Sequence, residues 1–327
     1  MIAMKKRLAL CCLGLFALSS LIGRGANSGD RFAWEVLVDI SRPQANGASG
    51  AESPIAWRLW STQREVFSKA SEGLMPASTG HYEEIRRLKC ELLRQESKFP
   101  LRPAEVDEQC EVVFLNDSAA KYILEGRMYL RSLLAAAAEV PGIHLPMAAR
   151  ELKTEWRRIE PRQFADYIVA IDDKNKPWGL VALHLMTHEQ PRWFWATWIH
   201  KEYASRADLR DNFGAAENGG TSEALGHMLD SNNERYLSNY KLIGSQTEFQ
   251  PVMLSNPLIE VGVQCSSCMG CHQSAGLRRD GTWSLPNTCR TLGEAKRPPD
   301  GMNLTDFDFT LAGQAKCHNA RGCKDAL

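Results

Sequence analysis

Gly179-Leu-Val-Ala-Leu-His-Leu-Met-Thr-His188 and Trp193-Phe-Trp-Ala-Thr-Trp-Ile-His200 are the two runs that decide the fold. Each is an apolar run of strand length, and residues 189–192 between them supply a short connection that contains a proline. The two runs therefore predict an antiparallel hairpin. The second run carries bulky apolar side chains on both faces, which is typical of a strand that is buried on both sides.

Helix and strand patterns around this hairpin predict an α+β fold. The predicted helices are residues 82–95, residues 119–137 and a closing helix that opens at residue 303, and the further predicted strands are residues 32–40 and 164–171. We predict an N-terminal domain over residues 29–245, with an antiparallel sheet and flanking helices, and a smaller, mostly helical segment over residues 246–327. The chain has 327 residues, of which 44% are hydrophobic, so it is long enough to bury a large core.

Residues 1–28 have the composition of a secretory signal peptide. Residues 5–7 are basic, residues 8–22 are apolar, and Ala26 and Ser28 are small residues at positions −3 and −1 of a cleavage point before Gly29. The apolar run is short for a membrane-spanning helix, although an uncleaved anchor is the alternative. We therefore expect an exported protein, most simply a periplasmic one, with no transmembrane segment beyond the signal peptide.

The balanced charge of the whole chain conceals an acidic mature protein. The chain has 39 basic and 39 acidic residues, and four of the basic residues but no acidic residue lie in the signal peptide. Removal of this segment leaves a net charge of −4. Because a mildly acidic protein binds phosphate backbones poorly, we expect no nucleic-acid partner.

Cys265-Ser-Ser-Cys-Met-Gly-Cys-His272 is the stretch with the most specific chemistry. Cys268, Cys271 and His272 form a C-x-x-C-H run, which is the attachment signature of a c-type haem. Two thiols held three positions apart in a helical turn meet the two vinyl groups at one edge of the porphyrin, and the next residue places an imidazole on the iron as proximal ligand. The sequence thus predicts one covalently attached haem c, which makes residues 246–327 a haem-binding, cytochrome c-like segment.

Three other kinds of site use similar spacings. A C-x-x-C thiol couple is expected in a thioredoxin-like βαβ context, and no such pattern surrounds the motif. Cys265, Cys268 and Cys271 match the start of an iron–sulfur site, but the row stops at Ala275. A zinc site that used these cysteines and His272 would have an unusually contiguous spacing. Haem explains the motif better than each of these alternatives.

The remaining cysteines fit an oxidising compartment. Six of them stay in the mature chain outside the haem motif, an even number that allows up to three disulfides. They are Cys90, Cys110, Cys265, Cys289, Cys317 and Cys323. The pairs Cys90–Cys110 and Cys317–Cys323 close the shortest loops and are the predicted disulfides, with buried thiols as the alternative.

The ligand on the second side of the iron decides what a haem protein does. A methionine gives a high-potential electron-transfer haem, a second histidine lowers the potential, and an open position permits chemistry or the binding of small molecules. The sequence leaves this ligand undecided. The candidates are Met302, His184, His188, His200 and His318, or no side chain at all.

Five stretches of the chain resemble exported bacterial monohaem c-type cytochrome-like proteins, which belong to the cytochrome c family proteins. The stretches are Glu151-Leu-Lys-Thr-Glu-Trp-Arg157, Gly179-Leu-Val-Ala-Leu-His184, Trp195-Ala-Thr-Trp-Ile-His200, Cys268-Met-Gly-Cys-His-Gln-Ser-Ala275 and Phe307-Asp-Phe309. In this family an N-terminal domain precedes a single terminal haem motif. The resemblance implies haem binding and electron transfer with an unidentified redox partner protein, and it carries over Cys268, Cys271 and His272.

The sequence therefore predicts a monohaem electron-transfer protein of the cell envelope. The alternative is a haem enzyme or a small-ligand sensor in which the distal position of the iron is open. Sequence alone leaves open whether the protein is an enzyme.

Overall fold

The structure is a computed structural model in which parts of the chain between residues 27 and 311 are described. The described residues are 27–42, 55–69, 87–88, 91–93, 109–139, 142–204, 228–229, 235–248, 253–260, 267–278, 280, 282, 302–306, 308 and 310–311. The predicted signal peptide up to residue 26 lies outside them. No helix in these segments combines the length and the apolar character that are needed to cross a membrane.

A nine-stranded sheet is the framework of the described residues, and a separate pair of strands lies near the C-terminus. The strands of the large sheet are β1 (Ser61–Thr62), β2 (Arg87–Leu88), β3 (Glu91–Leu93), β4 (Gln109–Leu115), β5 (Arg150–Arg158), β6 (Val169–Asp172), β7 (Pro177–Thr187), β8 (Phe194–His200) and β9 (Tyr240–Gln246). The separate pair is β10 (Gly276–Leu277) and β11 (Asn303–Leu304).

Five α-helices accompany these strands in the described part of the chain. They are α1 (Asn27–Ser41), α2 (Gln63–Lys69), α3 (Asp117–Glu125), α4 (Arg131–Glu139) and α5 (Cys268–His272). Short 3₁₀ turns lie at Ala56–Leu59, Pro161–Gln163 and Arg235–Asn239. A mainly antiparallel sheet with helices agrees with the α+β class that the sequence predicts.

The eleven-residue β7 connects the two halves of the large sheet. On one side it pairs with β5, which pairs in turn with β4. On the other side β6 pairs with the beginning of β7, and β8 pairs with its end and leads to β9. β1 and β3 add to β4, and β2 adds in parallel to β6.

The hairpin that the sequence predicts is confirmed as β7 and β8. The two strands are antiparallel, with registers that run from Ala182 opposite Ile199 to Thr187 opposite Phe194. Every residue of β8 is buried, as its two-sided apolar pattern predicts. β7 is likewise buried along almost its whole length, so the hairpin lies inside the fold.

Two apolar clusters lie on opposite faces of the sheet. On one face α1 packs against β8 and β9, and the rings of Trp34 and Trp198 are 6.0 Å apart. On the other face, α3 and α4 share a cluster with Cys268, Met269 and later residues. The described part of the C-terminal segment thus packs directly on the sheet of the predicted N-terminal domain.

The prediction of a strand at residues 32–40 is wrong, because these residues belong to α1. Exposed residues recur at four-residue intervals at Arg31, Glu35 and Asp39, which is helical spacing. Arg31 and Glu35 form an ion pair of 2.8 Å on that exposed side. Apolar residues fill the positions between them and bury the other side of the helix.

The predicted helix at residues 82–95 is also wrong where the structure describes it. Residues 87–88 and 91–93 are β2 and β3, which pair with strands of the large sheet. Pairing with neighbouring strands has overridden a local helical pattern, since intrinsic propensity is a weak determinant beside tertiary contacts.

The single helix predicted over residues 119–137 is interrupted. α3 ends at Glu125 and α4 begins at Arg131, and Arg127 between them has a positive φ of 51°. Such a backbone conformation does not continue an α-helix of L-residues. Two other predictions are right only in part: of residues 164–171 only the end is in β6, and the segment from residue 303 begins with β11 before Thr310 and Leu311 become helical.

The predicted disulfide pairings stay predictions, although one of the six cysteines is seen in a disulfide. Cys110 of β4 is disulfide-bonded. Its predicted partner Cys90 lies outside the described residues, as do the other predicted disulfide cysteines. They are Cys265, Cys289, Cys317 and Cys323.

Candidate functional site

The motif Cys268–His272 forms one short helix, α5, as the haem-attachment spacing predicts. Ser267 caps this helix, since its Oγ accepts a hydrogen bond from the Gly270 backbone N–H at 3.1 Å. Cys268 and Cys271 are three positions apart on one helix and therefore neighbours on its surface. Both are reduced cysteines rather than half-cystines.

Gln246, the last residue of β9, fixes α5 to the sheet. Its Oε1 accepts a hydrogen bond from the backbone N–H of Met269 at 2.8 Å, and its Nε2 donates to Ser267 Oγ at 3.4 Å. The side chain is only 4% exposed, so both bonds are buried. Gln246 lies opposite Trp195 of β8 in the sheet register, and the start of α5 is therefore held beside the β8–β9 pair.

The two motif thiols lie in different surroundings. Cys268 is buried, and its Sγ is 3.8 Å from the carbonyl oxygen of Leu254. Cys271 is partly exposed. Burial, and then the nearby Glu260 carboxylate, raise the pKa of Cys268 well above its usual value, so this side chain is a neutral thiol.

His184 of β7 lies beside His272 of the motif. The two ring centroids are 6.0 Å apart, and the ring planes differ by 18°. Trp195 of the neighbouring strand β8 also lies against His272, with a centroid distance of 5.9 Å and an angle of 45°. The hairpin that organises the fold thus brings a second imidazole and an indole to the motif.

His184 is a buried imidazole whose two ring nitrogens have no hydrogen-bond partner among the described residues. Its exposed fraction is 5%. Its Nδ1 is 3.2 Å from Oε1 of Glu260, but the contact lacks the directionality of a hydrogen bond. Burial, and then Lys153, lower the pKa of His184 to about 3, whereas burial raises the pKa of Glu260. His184 is therefore uncharged, so the contact is not an ion pair, and neutral imidazole is the form that binds metals.

A buried asparagine holds Glu260 in place. Oε2 of Glu260 accepts a hydrogen bond from the backbone N–H of Asn256. The Asn256 side chain in turn donates to the Trp198 carbonyl oxygen at 2.8 Å and to Thr197 Oγ1 at 3.0 Å. Residues 253–260 are thereby attached to β8, next to the strand that carries His184.

Two other histidines that are candidates for the distal ligand have structural partners. His188 donates a hydrogen bond from Nδ1 to the Leu145 carbonyl oxygen at 2.7 Å. His200 donates from Nε2 to the Asp166 carbonyl oxygen at 3.0 Å and accepts at Nδ1 from the Glu202 backbone N–H at 3.3 Å. Both ring nitrogens of His200 are thus in use, which is typical of a histidine that serves the core.

The remaining candidates for the distal ligand lie near the C-terminus. Met302 precedes β11 and lies close to Gly276 of β10, where a Cβ added to the glycine would be 3.4 Å from Met302 Cβ. His318 lies outside the described residues. Of the five side chains that the sequence offers, the structure brings His184 to within 6.0 Å of His272, ring centre to ring centre.

The residues present fit a c-type haem. The motif would supply two thiols and one imidazole, and His184, whose ring nitrogens have no hydrogen-bond partner among the described residues, would offer a second imidazole beside it. Within the described segments no three His, Cys, Asp or Glu side chains are grouped to hold a metal ion by themselves. A haem iron takes only one or two side chains from the protein, because the porphyrin supplies its other ligands.

Sequence reasoning missed a row of charged side chains that shares the sheet face of His184. Lys153 of β5 lies directly opposite His184, and its Nζ forms an ion pair of 2.9 Å with Glu111 of β4. Glu155 is 1% exposed, and burial followed by the Glu111 charge raises its pKa to about 8. The alternation of charges at residues 151, 153 and 155 was the available signal, since side chains two apart share one face of a strand.

Comparisons of the chain with protein-family models, with curated proteins and with solved structures found no match in any of the three. The resemblance to cytochrome c family proteins therefore stays a prediction from the sequence motifs.

Proposed function

We propose that the protein is an exported c-type cytochrome, which holds one haem covalently and transfers electrons in the cell envelope. The observation that carries this proposal is α5, where two reduced cysteines stand one helical turn apart and a histidine follows them directly. Cys268 and Cys271 would form the two thioether bonds, and His272 would be the proximal ligand of the iron. When bound, the haem supplies one-electron redox chemistry.

The remainder of the site orients the motif and limits the access of water. Gln246 and Ser267 hold the helix that carries both thiols. Cys268 and Met269 pack in the apolar cluster on the sheet, and Trp195 lies against His272. An apolar shell of this kind controls the access of solvent to a metal and thereby its potential. We therefore propose residues 246–327 as a cytochrome c-like segment that uses the sheet as part of its haem pocket.

Two features support an exported protein. The first is the basic and then apolar composition of residues 1–28. The second is the disulfide at Cys110, a bond that forms and persists in oxidising compartments. We propose the periplasm as the compartment and a second redox protein as the partner.

The pyridine haemochrome spectrum of the exported protein, produced with a cytochrome maturation system, tests the proposal. We expect the spectrum of a haem joined by two thioethers in the wild type. Cys268→Ala and Cys271→Ala each leave fewer thioether bonds, so the α band moves away from the wild-type position.

Cys265→Ala is the matched control. It removes the third cysteine of the row, and we expect an unchanged spectrum. A colourless wild type overturns the haem proposal. A dependence on Cys265 equal to that on the two motif cysteines instead favours an iron–sulfur or zinc site.

A further inference from the structure

We propose that His184 is the second axial ligand of the haem iron, so that the iron is held between two histidines. This inference rests on the proposed function. It selects one ligand from the candidates that the sequence leaves open, and it places that ligand on the sheet, 84 residues before Cys268 in the chain.

The first argument is the relation between the two rings. His184 and His272 are 6.0 Å apart between centroids, and their planes differ by only 18°. The two rings are thus close and nearly parallel, and both would be near enough to serve one iron. His184 is carried by the central strand β7, whose length is buried, and its backbone position is therefore rigid.

The second argument is that the ring of His184 has no structural task of its own among the described residues. A buried polar group without a hydrogen bond is costly, by about 1–3 kcal/mol, and such groups are few in folded proteins. Both ring nitrogens of His184 are of this kind. The contrast is His200 on β8, whose two ring nitrogens are both hydrogen-bonded. A metal bond to one nitrogen of His184 would satisfy a group that has no hydrogen-bond partner among the described residues.

The third argument is the carboxyl group next to the other nitrogen. Glu260 Oε1 is 3.2 Å from His184 Nδ1. Histidines that bind metals commonly donate their second N–H to a carboxylate, which fixes the ring orientation and raises its basicity. The contact is not a hydrogen bond in this structure, but Asn256 holds Glu260 beside Nδ1, where it would act as a positioning residue for His184. This arrangement leaves Nε2 as the nitrogen that binds the iron.

The proposed ligand decides between two kinds of haem protein. An iron with two histidine ligands has no vacant position for a diatomic molecule or a peroxide. Histidine in place of methionine also lowers the reduction potential. The inference therefore favours a low-potential electron carrier over a haem enzyme or a gas sensor.

The test compares optical and electron paramagnetic resonance spectra of the mature holoprotein and its His184→Ala variant. We expect a six-coordinate, low-spin wild type that does not react with carbon monoxide when reduced. The haem of the His184→Ala variant should change to a high-spin or water-bound form that reacts readily with carbon monoxide. Added imidazole should restore the low-spin spectrum, a rescue that a merely structural role of His184 does not predict.

Two further variants keep the test interpretable. His188→Ala, one residue beyond the end of β7, is the matched control and should keep the wild-type spectrum. His184→Met keeps a side chain that can bind iron, and we expect a low-spin haem whose potential is higher than that of the wild type. This variant answers the question if His184→Ala does not fold.

The outcomes separate the two proposals. If the wild type carries no covalent haem, the proposed function fails, and with it this inference. If haem is attached but His184→Ala remains low-spin and indifferent to carbon monoxide, the inference alone is overturned, and Met302→Ala then tests the methionine alternative. A wild type that binds carbon monoxide rapidly also overturns it and favours an open distal site.

Glu260→Gln tests the positioning residue by a separate measurement. The amide removes the acidic group beside Nδ1 but can still contact the ring. We expect the spin state to stay low and the reduction potential to rise, because the imidazole becomes a weaker electron donor. An unchanged potential removes Glu260 from the proposal and leaves the assignment of His184 intact.

Discussion

Gln246 ties the Cys268–His272 motif to the sheet through two buried hydrogen bonds. Its Oε1 accepts a hydrogen bond from the backbone N–H of Met269, and its Nε2 donates one to Oγ of Ser267, the cap of the motif helix. α5 has only five residues, so little of its stability comes from its own hydrogen bonds. Its position therefore depends on this buried amide and on the cap.

We expect Gln246→Ala to lower the free energy of unfolding by about 1–3 kcal/mol, because the substitution leaves the Met269 N–H buried without a partner. Urea denaturation of the purified protein measures the change. Lys121→Ala is the control, since its side chain is 70% exposed on α3 and surface substitutions usually change stability by less than about 0.5 kcal/mol. Equal effects of both substitutions would show that Gln246 does not anchor the helix.

Ser267→Ala should lower the free energy of unfolding by about 1 kcal/mol, because it removes a helix N-cap. Ser267 Oγ also accepts a hydrogen bond from Gln246, so the two sites share one network. The double variant should therefore lose less stability than the sum of the single variants. Strict additivity in the same urea experiment contradicts this coupling.

At the level of elements, the hairpin of β7 and β8 could be predicted from sequence because its apolar runs are continuous and local. β4, β5 and β9 could not. β5 places charged side chains such as Lys153 and Glu155 on a covered face of the sheet, which breaks the usual pattern of apolar core strands. The sequence predicts a strand in place of α1 because a short apolar run is compatible with either period.

The hairpin is buried along almost its whole length, so the stability of the fold depends on its packing. Trp198 of β8 is fully buried and packs near Trp34 of α1. We expect Trp198→Ala to lower the free energy of unfolding by about 3–5 kcal/mol, as large-to-small core substitutions do. Met253→Ala is the contrast, because this side chain is 64% exposed and should have little effect. Thermal and urea denaturation give both values, and a similar small effect for both would contradict the central place of the hairpin.

At the scale of the molecule, several carboxyl groups are buried on the sheet face that carries the Cys268–His272 motif. Burial first, and then the Glu111 charge, raise the pKa of Glu155 to about 8, while burial raises that of Asp308 to about 7. Burial and the charge of Asp308 raise the pKa of Glu151 as well. In the unfolded chain these carboxyl groups ionise near pH 4.

These shifts predict that stability falls as the pH rises from 6.5 to 8. In this range the native protein keeps a proton on Glu155 that the unfolded chain has released. The free energy of unfolding therefore falls by up to ~1.4 kcal/mol per pH unit for each such group. The buried histidines His184 and His200, with lowered pKa values of about 3 and about 4, act in the opposite sense only below their ordinary value of 6.5. Above pH 8 the contribution of Glu155 levels off as the native group ionises.

Glu155→Gln separates this effect from others, because the amide does not titrate. We expect the slope of the unfolding free energy against pH to become flatter between pH 6.5 and 8. Asp280→Asn is the control, since Asp280 lies outside the buried row and its pKa is lowered by its hydrogen bonds with Thr282. A slope that Glu155→Gln leaves unchanged contradicts the raised pKa.

The α+β class and the Cys268–His272 motif can both be predicted from sequence. The contact between the motif and the sheet cannot. The motif is a local pattern of five residues, so spacing alone predicts Cys268, Cys271 and His272. The approach of His184 depends on the register of β7, on Gln246 at the end of β9 and on the loop that carries Glu260. These are contacts between residues distant in the chain, and no local pattern encodes them.

The mass of the intact exported protein, measured after denaturation and reduction, is the most direct test of covalent haem attachment. The protein should be produced with a cytochrome maturation system, beside a Cys268→Ala/Cys271→Ala double variant. We predict that the wild-type mass equals the processed chain plus one haem and that the double variant has the mass of the chain alone. A wild type with the mass of the chain alone, from cells that mature other c-type cytochromes, would contradict the central claim.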